Sequence, residues 1–318
     1  MKYTFFFILL FGSFLNSSKA SGQQNSTEAL LQGMGHSVQT LSYELAFINL
    51  NKQFLIPLRY RHAIIDNQPI AQLIQMDNTR REIIQRGDQI SYYESGLDSF
   101  SLRGDRIVDY LPPIIFADFS QLQKFYNFID AGSTHVGDHP VYFVRIISKD
   151  NDRYNYNLLI DKKSYLPLLI ELFDQDEMKV VEQFRVISSR VNDDIKQELN
   201  AIVHLKLPPM LVIPKAEKVK FNWKVSKLPE GFREVSRNRS RLSKTELLES
   251  IMYSDGVFNF SVNVINTGEK TAGEPLYRQG RRTVYTVSHG RHSISVIGEL
   301  PFATIKQIVG SVTFTGDN

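Results

Sequence analysis

Cysteine is absent from all 318 residues, which excludes disulfides, thiolate metal sites, thiol redox chemistry and cysteine nucleophiles. A strong charge of one sign is missing too. The 37 Lys and Arg face 34 Asp and Glu, and a net charge of +3 gives no electrostatic footprint for nucleic acid. After residue 20 no apolar run reaches the ~18 residues that mark a spanning helix, so the mature chain is expected to be soluble, without stable membrane insertion. Phosphate loops, Gly-x-Ser-x-Gly elbows, His-Glu-x-x-His pairs and calcium loops are all missing. The chain therefore reads as a non-enzyme with no cofactor and no metal. Only a catalytic pair assembled by folding escapes this reading. His135 and His139 are four apart but separated by Gly137, which suits a loop better than a metal site. His289 and His292 read as exposed turn residues, and Asp193-Asp194 as acids at a helix N-terminus.

What is present is ordinary globular material, 42% hydrophobic and 22% charged, long enough for about two domains. Lys2 precedes an apolar run from Tyr3 to Leu15, and Ser18-Lys19-Ala20 supplies small residues for a peptidase. This pattern predicts a signal peptide over 1–20, cut near Ala20, and export from the cytoplasm. Residues 21–214 hold 19 basic and 24 acidic side chains and residues 215–318 hold 16 and 10, so the two stretches carry −5 and +6.

The capping-box spacing of Asn25 and Glu28, with Leu30, Met34 and Val38 on one face, predicts a helix over 26–40. From Leu41 the period switches to two, and short strands follow at 58–65, 69–76, 81–86 and 89–94, joined by tight turns. Phe116, Phe119, Leu122, Phe125, Tyr126 and Ile129 have helical spacing. Strands resume through Tyr142–Ile146, Tyr154–Ile160, Leu166–Leu172 and Val180–Ile187, and a helix over 192–205 closes the region. The expected architecture is α+β, with a large antiparallel one-sided sheet over 21–206 covered by helices. Three prolines in seven residues mark 207–214 as a linker lying on a surface. Residues 215–318 form a smaller basic α+β domain, with a hairpin around His289-Gly290 and a helix from Phe302 to Val309 behind Pro301.

Two features carry functional meaning. Tyr43, Phe47, Tyr92, Tyr154, Tyr156 and Leu158 lie on the aromatic-rich inward face of the sheet, either as packed core or as the wall of a lipid cavity. Arg233, Arg237, Arg239 and Arg241, with Lys244 and Arg281-Arg282, form a basic stretch. It is either solvated loop surface or a site for an acidic peptide or a phosphorylated glycolipid.

The chain resembles the RseB/MucB family of periplasmic regulators of the envelope-stress factor sigma-E. The carriers are Leu41-Ser42-Tyr43-Glu44-Leu45-Ala46-Phe47-Ile48, Leu58-Arg59-Tyr60-Arg61-His62 and Gln85-Arg86-Gly87. In the second domain they are Gly231-Phe232, Tyr253-Ser254-Asp255-Gly256, Gly280-Arg281-Arg282-Thr283-Val284 and Gly298-Glu299-Leu300-Pro301. The resemblance implies an unclosed β-barrel like that of the lipoprotein carriers LolA and LolB. It also implies a periplasmic negative regulator that binds the periplasmic domain of the anti-sigma factor RseA. Such a regulator shields RseA from the protease DegS and lets go when lipopolysaccharide binds. The alternative is a lipid or lipoprotein carrier built on the same half-barrel. Exposed strand edges leave a homo-oligomer open.

Overall fold

The computed structural model describes residues 18–50, 55–77, 81–174, 179–212, 219–243, 246–266 and 276–315, with side chains of the first helix from Ser26 onward. Lys244 and most of the signal segment lie outside these residues.

Helix α1 (Ser18–Thr40) leads into β1 (Tyr43–Leu50), β2 (Leu55–Ile65), β3 (Gln68–Gln75), β4 (Arg81–Arg86), β5 (Gln89–Glu94) and β6 (Phe100–Arg103). A 3-10 turn (Pro113–Phe116) and the one-turn helix α2 (Phe119–Leu122) precede β7 (Tyr126–Val136), β8 (His139–Ser148), β9 (Asn155–Asp161), β10 (Pro167–Asp174) and β11 (Lys179–Val191). Helix α3 (Asp194–Val203) ends the first region. The second contains β12 (Trp223–Val225), β13 (Arg233–Arg241), β14 (Leu247–Ser254), β15 (Asn259–Asn266), β16 (Tyr277–Gln279), β17 (Arg282–His289), β18 (His292–Gly298), α4 (Phe302–Gly310) and β19 (Val312–Phe314).

The first eleven strands form one antiparallel sheet in the order β6-β5-β4-β3-β2-β1-β11-β10-β9-β8-β7. Its end strands β6 and β7 do not pair, so the barrel is unclosed. At its centre, Tyr43, Leu45 and Phe47 of β1 sit opposite His62, Tyr60 and Leu58 of β2, all turned to one buried face. Helix α1 lays Leu31, Met34 and Val38 on that face, and the Tyr43 hydroxyl donates to the Val38 carbonyl at 3.0 Å.

Three expectations change. The first helix starts at Ser18 and runs through Asn25, so Asn25 and Glu28 are not its cap. The helical spacing from Phe116 to Ile129 belongs to two elements. Asp118 caps α2 by accepting from the Ser120 and Gln121 amides, and the chain then turns extended, with Tyr126 and Phe128 buried and Asn127 and Ile129 exposed. A period of two overrides the helical coincidence once pairing with β8 is available. The sheet is also not one-sided. Helix α3 packs Ile195, Leu199 and Ile202 against Ala63, Ile70 and Ile84, residues one step out of phase with the inward row, on the opposite face.

The linker is tied down rather than loose. The Ser101 amide donates to the Pro209 carbonyl at 2.9 Å and the Leu211 amide to the Ser101 carbonyl at 2.8 Å. Pro208 to Leu211 thereby covers the edge of β6.

The second sheet runs β13-β14-β15-β18-β17-β16, and β12 pairs with β19 beside it. The predicted hairpin and the predicted helix behind Pro301 are both present as β17-β18 and α4. One continuous buried apolar cluster runs through both sheets. Tyr154 and Tyr156 of the β9 region pack on Phe258 of the second region, at centroid distances of 6.0 and 5.8 Å.

Candidate functional site

The two sheets meet at a junction whose polar groups come from both. Arg153 sits between β8 and β9 with a side chain of 0% exposure. Its Nε donates to the Asp255 carboxylate at 2.9 Å, and that carboxylate is equally buried. The guanidinium also pairs with Asp150 and donates to the Glu230 carbonyl. Phe125 and Phe232 each place a ring centroid 5.1 Å from its central carbon. The other Asp255 oxygen accepts from the amides of Val257 and Phe258 at 2.9 and 2.8 Å, which fixes the loop that carries Phe258. Burial alone pulls the Arg153 pKa down, but the Asp255 hydrogen bond and neighbouring charges hold it above the ordinary value. Gly231, at φ +86°, lies so close that a Cβ there would stand 2.4 Å from the Phe125 ring.

Two further arginines cross the junction. Arg278 reaches Asp174 at 2.7 Å. Arg281 bonds Glu299 at 3.0 Å within its own domain and Glu182 of β11 at 3.5 Å across the junction. Tyr154 donates its hydroxyl to the Leu300 carbonyl at 3.0 Å. Beside Arg281 lies a small cavity of about 30 Å³, room for about one water, with Ile170, Leu172, Phe184 and Tyr156 as its apolar part. Asn49, Glu182 and Arg281 supply polar groups at the same cavity. Burial keeps the Tyr156 hydroxyl protonated far above the usual range.

The aromatic candidates divide accordingly. Tyr43, Phe47, Tyr154 and Leu158 are 0–1% exposed and packed in the core, so a ligand reaches them only if covering elements move. Tyr92 is half-buried, stacks on Phe100 and donates to Asp109 at 2.9 Å. Tyr156 alone of the six lines the junction cavity.

The basic candidates divide as well. Arg233, Arg237, Arg239 and Arg241 are not loop but strand β13. Arg237 holds Glu234 through two bonds of 2.8 and 2.7 Å. Arg239 bonds Glu249 at 2.9 Å, and both guanidiniums lie over the Phe221 ring. Arg282 is exposed on β17, while its neighbour Arg281 is drawn into the junction. His135 and His139 flank the turn of the β7-β8 hairpin, where His139 lies 3.3 Å from Asp161. Among the described residues no cluster of three His, Asp or Glu side chains has the arrangement of a metal site.

Residues 26–209 match the MucB/RseB N-terminal domain, and residues 217–313 match the MucB/RseB C-terminal domain. The chain belongs to the MucB/RseB family. It is 45% identical to the sigma-E factor regulatory protein RseB of Escherichia coli K12 over 308 residues, 96% of each chain. It is 34% identical to the Haemophilus influenzae RseB over 303 residues, 95% of this chain and 96% of the relative. Identity falls to 24% with the sigma factor AlgU regulatory protein MucB of Pseudomonas aeruginosa, over 76% of this chain and 75% of that one. The fold is that of MucB crystallised in complex with MucA(peri), with a TM-score of 0.69 at 20% identity, covering 91% of this chain and 98% of that one.

Arg153, Phe125, Asp255 and Gly231 are the junction residues to which the sequence reading assigns no role. Arg153 and Asp255 lie 102 positions apart, and a lone arginine in an Asp-Asn-Asp-Arg turn looks like any solvated loop. The forward signals are Gly231-Phe232 and Tyr253-Ser254-Asp255-Gly256, both among the stretches that carry the family resemblance.

Proposed function

We propose that this chain is an exported negative regulator that binds the periplasmic domain of an RseA-type anti-sigma factor. In this reading the first twenty residues direct export, with cleavage near Ala20. While bound, the protein shields its partner from the protease DegS, and lipopolysaccharide releases it. The observation that carries the reading is 45% identity to a sigma-E regulatory protein across 96% of both chains. In the MucB structure, at lower identity, the partner is the periplasmic part of MucA.

Release by a lipid requires that the lipid favour the form with weaker affinity for the partner. A tenfold loss of affinity needs about 1.4 kcal/mol of coupling. Each buried methylene contributes ~0.8 kcal/mol, so two or three suffice if buried in one form only. The junction cavity is the place we assign to such a chain, in a form in which the two sheets part there, because as it stands the cavity has room for about one water. Its apolar floor takes methylenes, and Arg281 offers a guanidinium to a phosphate or carboxylate. An anionic head group there competes with Glu182 for Arg281, a contact that bridges the two sheets. The exposed arginines of β13 are the surface we assign to the partner.

The test is a titration of the mature protein with a purified RseA-type periplasmic domain, with and without lipopolysaccharide. The reading expects saturable binding that lipopolysaccharide weakens at least about tenfold. No binding to the anti-sigma domain, with retained binding of acylated lipoprotein, replaces the regulator with a carrier.

A further inference from the structure

The two large sheets have four end strands, and they differ in how much edge each offers an added strand. The linker covers β6 through Ser101. A break in register between Asp130 and Ser133, with Gly132 at φ +95°, kinks β7. β16 has only three residues. β13 has its own break in register, between Glu234 and Ser236, but it pairs without a break from Ser236 to Arg241. It has nine residues, seven of them exposed, and it stands at the end of its sheet. Among the described residues no backbone group from outside the sheet bonds to the backbone of 233–240.

The sequence of this edge selects its occupant. Arg233-Glu234-Val235-Ser236-Arg237-Asn238-Arg239-Ser240-Arg241 carries four arginines against one glutamate. Alternation sets Arg237, Arg239 and Arg241 on one face. Phe221 lies under two of them, at 4.9 and 5.6 Å, and limits their freedom. A second copy of β13 added to this edge would set arginines beside arginines, which disfavours self-pairing. An acidic strand meets the main-chain groups with its own and the guanidiniums with carboxylates.

We infer that β13 accepts an extended acidic segment of the partner as an added strand of the second sheet. The inference deepens the proposed function and rests on it for the partner's identity. The binding mode is its own claim.

The test uses the mature full chain and an RseA-type periplasmic domain in two measurements. Amide hydrogen exchange with and without saturating partner is expected to slow at 233–241, as new ladder bonds form. Val235→Pro falls where β13 skips a register position against β14, so it removes an amide without removing a registered pair. It is expected to weaken binding about tenfold. Emission of the single tryptophan, Trp223, is expected to stay unchanged. That residue is 3% exposed and bonded to Glu249 beside Arg239, so it reports local integrity. If Val235→Pro perturbs that emission, Arg233→Glu replaces it, with the same expected loss at low salt and a smaller one at high salt. Normal partner binding without added protection at 233–241, and with unchanged affinity in an intact variant, overturns the added strand and leaves the regulator standing. Absence of any binding to the wild-type chain overturns both.

Discussion

Strands β9 and β13 both alternate, and they are used in opposite ways. β9 lies inside the large sheet, between β8 and β10, with Tyr156, Leu158 and Ile160 at 2% exposure or less. β13 ends the small sheet and leaves seven of its nine residues exposed. Aromatic rings on an interior strand are held by packing on both sides, and removing one opens a cavity. Guanidiniums on an end strand are held by a ring below and by one or two carboxylates, and removing one costs the fold little. On the proposed reading the molecule thus separates a region where substitutions change stability from one where they change binding. The Arg153 junction joins the two.

The sharpest way to break this division is at the junction itself. Arg153→Met leaves the buried Asp255 carboxylate without its cation, and we expect a loss of about 3–5 kcal/mol in urea unfolding. A loss below about 1 kcal/mol would mean that the junction is incidental. Gly231→Ala comes next. Its Cβ meets the Phe125 ring at 2.4 Å, and φ +86° disfavours any side chain, so about 1–3 kcal/mol is expected from the same measurement. Replacing Arg237, Arg239 and Arg241 together by Ser addresses the other half. Partner affinity is expected to fall about tenfold and its salt dependence to flatten, with stability lowered by no more than about 1 kcal/mol. Equal affinity at low salt would remove β13 from the binding surface.

The smallest effect is a pH dependence inside the large sheet. Burial lowers the His62 pKa from its ordinary 6.5, against a partly offsetting bond to the Leu41 carbonyl. That carbonyl only accepts, so the 2.9 Å contact requires a proton on Nδ1. The unfolded chain then binds a proton near pH 6.5 that the folded one takes up only at lower pH. The stabilisation is complete above the unfolded pKa and fades as pH falls from there toward the folded value. His62→Gln is expected to flatten the stability profile as pH falls through and below the ordinary histidine range.

These contrasts also explain how much was legible beforehand. Strands β4 and β5, the β17-β18 hairpin and helix α4 were readable to within a residue or so, because their apolar period and turn residues agree. β13 carries no strand signature of its own because Ser, Asn and Arg have little strand propensity, and its pairing with β14 supplies what its residues lack. The register of β7 was hidden by aromatic spacing shared between a helical turn and a strand. Only pieces of the junction are legible, in Tyr154, Tyr156 and Arg281. The junction depends on Arg153, Asp255 and Phe232 meeting across a chain separation that periodicity does not see.

On the proposed reading this chain protects its partner from proteolysis. The most direct measurement is the rate at which DegS cleaves an RseA-type periplasmic domain, with and without the mature protein and then with lipopolysaccharide added. The account predicts that the protein slows cleavage and that lipopolysaccharide restores it. A cleavage rate indifferent to saturating protein would contradict it.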